Sequence, residues 1–303
     1  MKSTTARRVA LSIVMVTALT GVAACNSSDD SDASGSSGKD DRAAHKGTTH
    51  VSPIAALRSA EKSTDKADSA KVESTTTMGT MMSMKADGAL GWGDGLVGNM
   101  TITYTGGQLA DTMRQTGSTS MEARYLPDAY FAHMGDKFAE QAGGKHWIRY
   151  GYDDLADIAG GSGAYMKDQM QNSTPNQSVK LLLASGDVKK VGEEKVRGQN
   201  TTHYSGTVNV ADLADRTSSL SASQLADLKK QLQTAGITTE TVDLWVNDEN
   251  LLVKKAEKGE MTSGEMSSTA YYSDYGVKVS AEEPPAGDTA DFKDLMPSQG
   301  AGA

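Results

Sequence analysis

The chain has 303 residues, 37% of them hydrophobic, with 15 Met, 10 Tyr and 31 Gly and few large aliphatics. With 30 Lys+Arg against 39 Asp+Glu its net charge is −9, so it carries no basic footprint for nucleic acid. A single cysteine, Cys25, excludes an intramolecular disulfide framework and a cysteine-based structural zinc site. Glycine, methionine and tyrosine among many Ser and Thr suit glycine-turned strands with one apolar and one hydroxylated face, not a densely filled helical core.

Lys2, Arg7 and Arg8 precede an apolar run from Val9 to Ala24. At 1.5 Å per residue that run reaches about 24 Å, short of a bilayer core, so residues 1–24 read as a signal peptide. Val22-Ala23-Ala24-Cys25 resembles the bacterial lipobox, in which the thiol takes a diacylglyceryl group and the peptidase cuts just before it. Cys25 is then the lipid anchor, and no free thiol remains for catalysis. Loss of the leader removes Lys2, Arg7 and Arg8 and moves the net charge from −9 to −12. Two acyl chains give lasting attachment where one gives marginal binding, so the expected location is the extracytoplasmic face of the cell membrane.

Residues 25–50 hold no apolar side chain larger than alanine after Cys25 and are expected to be a solvated tether. Asp29, Asp30 and Asp32 lack the glycine and bidentate glutamate of an EF-hand loop. The folded domain is expected over 51–296, with 297–303 a tail. Ser52-Pro53 reads as an N-cap and first helical position, with Ile54, Leu57 and Ala60 continuing a helix to about Asp68.

From Val72 the period becomes two. Met82, Met84, Ala86, Gly88, Leu90 and Trp92 share one face. After Gly93-Asp94-Gly95, Leu96, Gly98, Met100, Ile102 and Tyr104 alternate with Asn99, Thr101, Thr103 and Thr105. Further strands are expected at 109–116, 119–125, 129–134 and 145–150, with turns at Gly106-Gly107, Gly117-Ser118 and Pro127-Asp128. Helix returns between 152 and 185, opened by Asp153, Asp154 and Asp157, interrupted near Gly160–Gly163 and restarted at Pro175. Strands follow at 188–196 and 201–210, a helix at 211–235, a hairpin at 241–246 and 251–258, and strands at 261–272 and 277–281. About eleven antiparallel strands with helices inserted at three places give an α+β fold, and a sheet that large must curl or close.

Several stretches carry a family resemblance: Arg124-Tyr125-Leu126-Pro127-Asp128-Ala129-Tyr130-Phe131, Gly143 to Tyr150, Val191 to Gly206, Val242 to Val253, and Tyr272-Ser273-Asp274-Tyr275-Gly276 running to Pro285. In this order behind a lipobox they resemble the LolA/LolB-like superfamily, in its LppX/LprAFG-type branch. The resemblance covers about residues 52–296. It implies a strongly curved antiparallel half-barrel with helices over its concave face, an apolar cavity for acyl chains, and carriage of lipids or glycolipids without catalysis or cofactor. The branch offers no catalytic motif to carry over.

Met82, Met84, Leu90, Met100 and Ile102 are the candidate cavity lining, since methionine is unbranched and polarizable and suits varied apolar ligands. Packing against the helices with no ligand is the competing reading. Met78, Met81, Met82 and Met84 can also be read as thioether ligands for Cu(I). In strand context Met81 and Met82 face opposite sides and no Cys or His stands near them, so packing is preferred and no metal site is assigned. His133, His146 and His203 are single strand positions without metal-ligand spacing. Hydrolase, phosphate-loop and penicillin-binding motifs are missing from the sequence. The expected function is non-covalent binding, and transfer, of a hydrophobic lipid or lipid-linked molecule. The rival is an envelope sensor or interaction lipoprotein whose cavity is vestigial and whose outer surface meets a protein partner.

Overall fold

The computed structural model describes residues 52–115, 117–158, 174–209, 236–261 and 264–295, together with residues 226, 229, 230 and 233. The expected leader, the Cys25 anchor and the tether lie outside the described residues, as do the Gly160–Gly163 break, most of the 211–235 helix and the tail. Among the described residues no helix is long and apolar enough to cross a membrane.

Helix α1 (Pro53–Lys66) starts where Ser52 Oγ accepts from the Ala55 amide at 3.2 Å. Its buried stripe is Leu57, Ala60 and Thr64. The strands then run β1 (Ser69–Met78), β2 (Met82–Gly91), β3 (Val97–Gly106), β4 (Ser120–Tyr125), β5 (Ala129–His133) and β6 (Trp147–Gly151). After them come β7 (Lys189–Val196), β8 (Gln199–Asn209), β9 (Thr239–Asn247), β10 (Leu252–Met261), β11 (Gly264–Ser273) and β12 (Thr289–Asp291). All twelve form one sheet in the order β12-β6-β5-β4-β3-β2-β1-β11-β10-β9-β8-β7. Its two end strands do not meet, so the sheet is open. The expected curved α+β sheet is present, with one strand more than expected and one parallel pair, β12 on β6.

Two local expectations are corrected and one element is added. Residues 109–116 are not a strand: helix α2 (Gly107–Gln115) stands there. Ala110 and Met113 are buried on one helical face, and the Gln108 and Leu109 amides donate to the carbonyls of Thr80 and Met81, which cap the new helix. Gly107 permits the entry at φ +82°, since a β-carbon there would lie 2.7 Å from Met81 backbone. A short helix α3 (Asp136–Gln141), not foreseen, joins β5 to β6. Residues 277–281 form no strand: Ser69 Oγ donates to the Val277 carbonyl at 2.7 Å and Asn99 Nδ2 to the Ser280 carbonyl at 2.8 Å, so side chains hold this segment. The strand that ends the sheet is β12.

Helices α4 (Tyr152–Ile158) and α5 (Asn176–Ser185) mark the two ends of the expected 152–185 helical stretch, and α6 (Phe292–Leu295) closes the described chain. One continuous apolar core runs from α1 and α5 across β1–β5 and β8–β11. Two small clusters, Ala129-Phe131-Trp147 and Val196-Trp245-Val253, sit on strand positions of opposite parity and belong to the outer face.

Candidate functional site

Strand pairing sets the inner face residue by residue. Met84 lies opposite Tyr104, Ala86 opposite Ile102, Gly88 opposite Met100 and Leu90 opposite Gly98. On the next strand Met121 lies opposite Ile102 and Ala123 opposite Met100. Met82, Met84, Leu90, Met100 and Ile102 therefore share one face; Leu90, Met100 and Ile102 are buried, whereas Met82 and Met84 are half-buried. At Gly88 a β-carbon would stand 2.1 Å from the Asn99 carbonyl oxygen, and at Gly98 2.2 Å from that of Ala89. Only glycine lets the two backbones approach so closely, and Met100 and Leu90 fill the space above them.

Farther along the same face, tyrosines replace methionines. Tyr125 and Tyr130 are 5.1 Å apart edge-on, Tyr130 and Tyr150 are 5.8 Å apart, and Phe292 of α6 leans on Tyr150 at 4.7 Å. Burial, and then Tyr104, pushes the Tyr125 phenol up to about 12, so these rings stay neutral and act as apolar bodies with polar tips.

The other half of the inner face is occupied by α1 and α5. Helix α5 is buried at Val179, Leu181, Leu182, Leu183 and Ala184, more than one face, as a helix enclosed in a core must be. It is tied to the sheet by a polar clasp. Lys255 Nζ lies 2.8 Å from Ser178 Oγ and 3.1 Å from Glu257 Oε2, and the Ser178 hydroxyl donates to Glu257 Oε1. Burial alone would lower the Lys255 ammonium; Glu257 and Tyr272 beside it raise it overall. Glu240, 4% exposed, joins the cluster, and its carboxyl is pushed up to about 8 by burial first and by Glu257 second, with Lys255 opposing. Next to Glu257 across the strands, Ser268 and Thr76 hydroxyls are 3.3 Å apart. A polar stripe thus crosses an otherwise apolar face, running across the strands from β9 to β1.

The five candidates lie together in the Met/Tyr half, and the clasp is what the residue pattern left unnoticed. Its signal exists in the sequence: Glu240 holds the apolar parity of Val242, Leu244 and Val246, and Lys255 and Glu257 share one face of β10. A separate cleft of about 280 Å³ opens at the rim between Gln199, Asn247, Glu249 and Tyr275, and none of the five candidates lines it. His146 bonds Asp288 through Nδ1 at 2.6 Å, His203 stacks on Trp245 at 4.2 Å and bonds Asp243 at 2.8 Å, and His133 meets Trp147 at 4.9 Å. Among the described residues no group of three or more His, Cys, Asp and Glu could hold a metal.

No protein-family profile matches the chain. An "Uncharacterized 31.2 kDa protein in rplA-rplJ intergenic region" of Streptomyces griseus is 58% identical over 252 residues, 83% of each chain. The "Putative lipoprotein SCO4650" of Streptomyces coelicolor is 51% identical over 310 residues, 99% of this chain and all of that one. This chain belongs to the family of these two Streptomyces proteins. Solved structures similar to this family member include the Mycobacterium tuberculosis lipoprotein LppX, with TM-score 0.47 and 14% identity over 76% of this chain and 98% of that one. LprF from Mycobacterium bovis follows, with TM-score 0.44 and 16% identity over 77% and 96%.

Proposed function

We propose that this protein is a lipoprotein, anchored through acylated Cys25 on the extracytoplasmic face of the cell membrane, that binds a lipid or lipid-linked molecule on its concave face and transfers it without catalysis. The observation that carries the reading is the inner face of β2–β5, where Met84, Leu90, Met100, Ile102, Met121, Tyr125 and Tyr130 form one apolar surface continuous with the core beneath α1 and α5. The leader pattern before Cys25 and the lipoprotein name of the Streptomyces coelicolor relative support the anchor. Binding is by desolvation: each methylene withdrawn from water contributes about 0.8 kcal/mol, so one long acyl chain is retained without specific polar contacts.

One observation favours a second reading. Because α1 and α5 already fill the concavity over β8–β11, the cavity is vestigial in a sensor or interaction lipoprotein, and the outer surface engages an envelope protein. Organic extraction of the purified full chain followed by mass spectrometry separates the two. Stoichiometric lipid supports the carrier; a dry protein that also rejects fluorescent fatty-acyl probes overturns it. The anchor has its own test: Cys25→Ala releases the protein from the membrane fraction, and unchanged fractionation overturns that part.

A further inference from the structure

The methionines are not spread evenly over the inner face. Met78 of β1 is paired directly with Met82 of β2 on one side and with Met266 of β11 on the other. Three thioethers therefore stand in one row across adjacent strands, with Met84 two residues along β2 and Met261 on β10 close beside them. Parity places all five on the inner face, the one that carries Val72, Leu90 and Ala270 deeper in. The deeper residues are buried, whereas all five methionines are half-buried. They gather toward one end of the face, with Met84, Met261 and Met266 packed against the margin of the apolar core, and Met81 stands in the adjoining turn, 43% exposed.

We infer that Met78, Met82 and Met266, with Met84 and Met261 in reach, form a binding site for the soft monovalent cation Cu(I). Directly paired residues on a sheet have β-carbons about 4.5–5.5 Å apart, and the flexible methionine chain lets neighbouring sulfurs converge on one ion. Thioether sulfur selects Cu(I) and offers little to hard cations such as Mg²⁺ or Ca²⁺. Gly259 stands opposite Met266, and the Met266 methyl packs over it, 3.5 Å from where a β-carbon would stand, so the missing side chain is what gives Met266 its place in the row. At the same end of the sheet, on its other face, Glu260 and Glu265 are directly paired and both exposed. Like charges in that position destabilise a sheet, yet they raise the local concentration of cations at that end. A linear reading of the Met78–Met84 run misses this constellation, because Met261 and Met266 reach it only through strand pairing.

Copper binding is measured on the full chain, under reducing, oxygen-free conditions, by competition with a chromogenic Cu(I) chelator and by X-ray absorption at the copper edge. One Cu(I) per chain with a sulfur shell is expected. The Met78→Leu/Met82→Leu/Met266→Leu variant keeps its circular dichroism, because Met→Leu conserves volume. It loses at least about 100-fold in affinity, since even groups outside the ligand shell cost 10–100-fold. No copper retained against the chelator, a nitrogen/oxygen shell, or undiminished affinity in the folded triple variant overturns the site. Should that variant fail to fold, the absorption spectrum of the unmodified protein decides alone. Lipid content, read on the same preparations, is independent of copper, so either reading can fail without the other.

Discussion

The carbonyl of Asp187 lies directly over Gly206: a β-carbon at residue 206 would stand 1.7 Å from that oxygen and 2.7 Å from Leu182 Cδ1. This contact seats the C-terminal end of α5 on β8. Because the obstructing atom is backbone, the clash cannot be relieved by a rotamer change. Gly206→Ala is expected to cost about 3 kcal/mol, at the upper end of overpacking penalties. Gly192→Ala on edge strand β7, where nothing lies within 4 Å, is expected to be neutral or slightly stabilising. Urea unfolding of the two variants checks the difference, and equal stabilities would remove Gly206 as the seat of α5.

Glu240 makes stability depend on pH. Its folded carboxyl titrates at about 8 against an ordinary 4.5, so the folded state holds the proton more tightly than the unfolded chain does. The associated stability is present in full below about 4.5 and is lost as pH rises through about 8. Glu240→Gln is expected to flatten this profile, with a gain on the order of 3 kcal/mol at pH 9 relative to pH 5. Parallel melting curves for parent and variant across that range would refute the assignment.

Lys255 and Glu257 are a buried pair, with side chains 17% and 12% exposed. Lys255→Met leaves Glu257 without its counter-charge and is expected to cost about 3 kcal/mol. Adding Glu257→Gln removes the orphaned charge and is expected to recover most of that loss. A double-mutant cycle in denaturant measures the coupling; strict additivity would mean that the clasp is not an ion pair in solution.

Tyr152 is buried, and its hydroxyl has no hydrogen-bond partner among the described residues. Tyr152→Phe removes an unsatisfied polar group and keeps the ring, so stability is expected to stay level or rise by up to about 1 kcal/mol. Thermal unfolding checks it, and a loss of stability would reveal a partner for that hydroxyl.

Most strands were legible because period-two alternation between glycine turns is local: β2, β3, β9 and β10 stand within a few residues of where the pattern of Met82–Trp92, Leu96–Thr105 and Thr241–Lys258 puts them. Residues 107–115 misled because Leu109 and Met113 share one strand parity as well as one helical turn over so short a run, and the carbonyls of Thr80 and Met81 that cap the helix are remote in sequence. Parity likewise put Met82, Met84, Leu90, Met100 and Ile102 on one face, but it could not say what lies across from them.

By itself, the sequence determined the leader pattern ending at Cys25, the alternating faces and the exclusion of a disulfide framework, all of which depend on neighbours along the chain. Tertiary structure decided that α5 fills half of the concavity, that Glu240, Lys255, Glu257 and Ser178 meet there, and that Met266 joins Met78 and Met82. Those meetings depend on strand order, which places β11 beside β1 across most of the domain's length, and no local periodicity encodes that pairing.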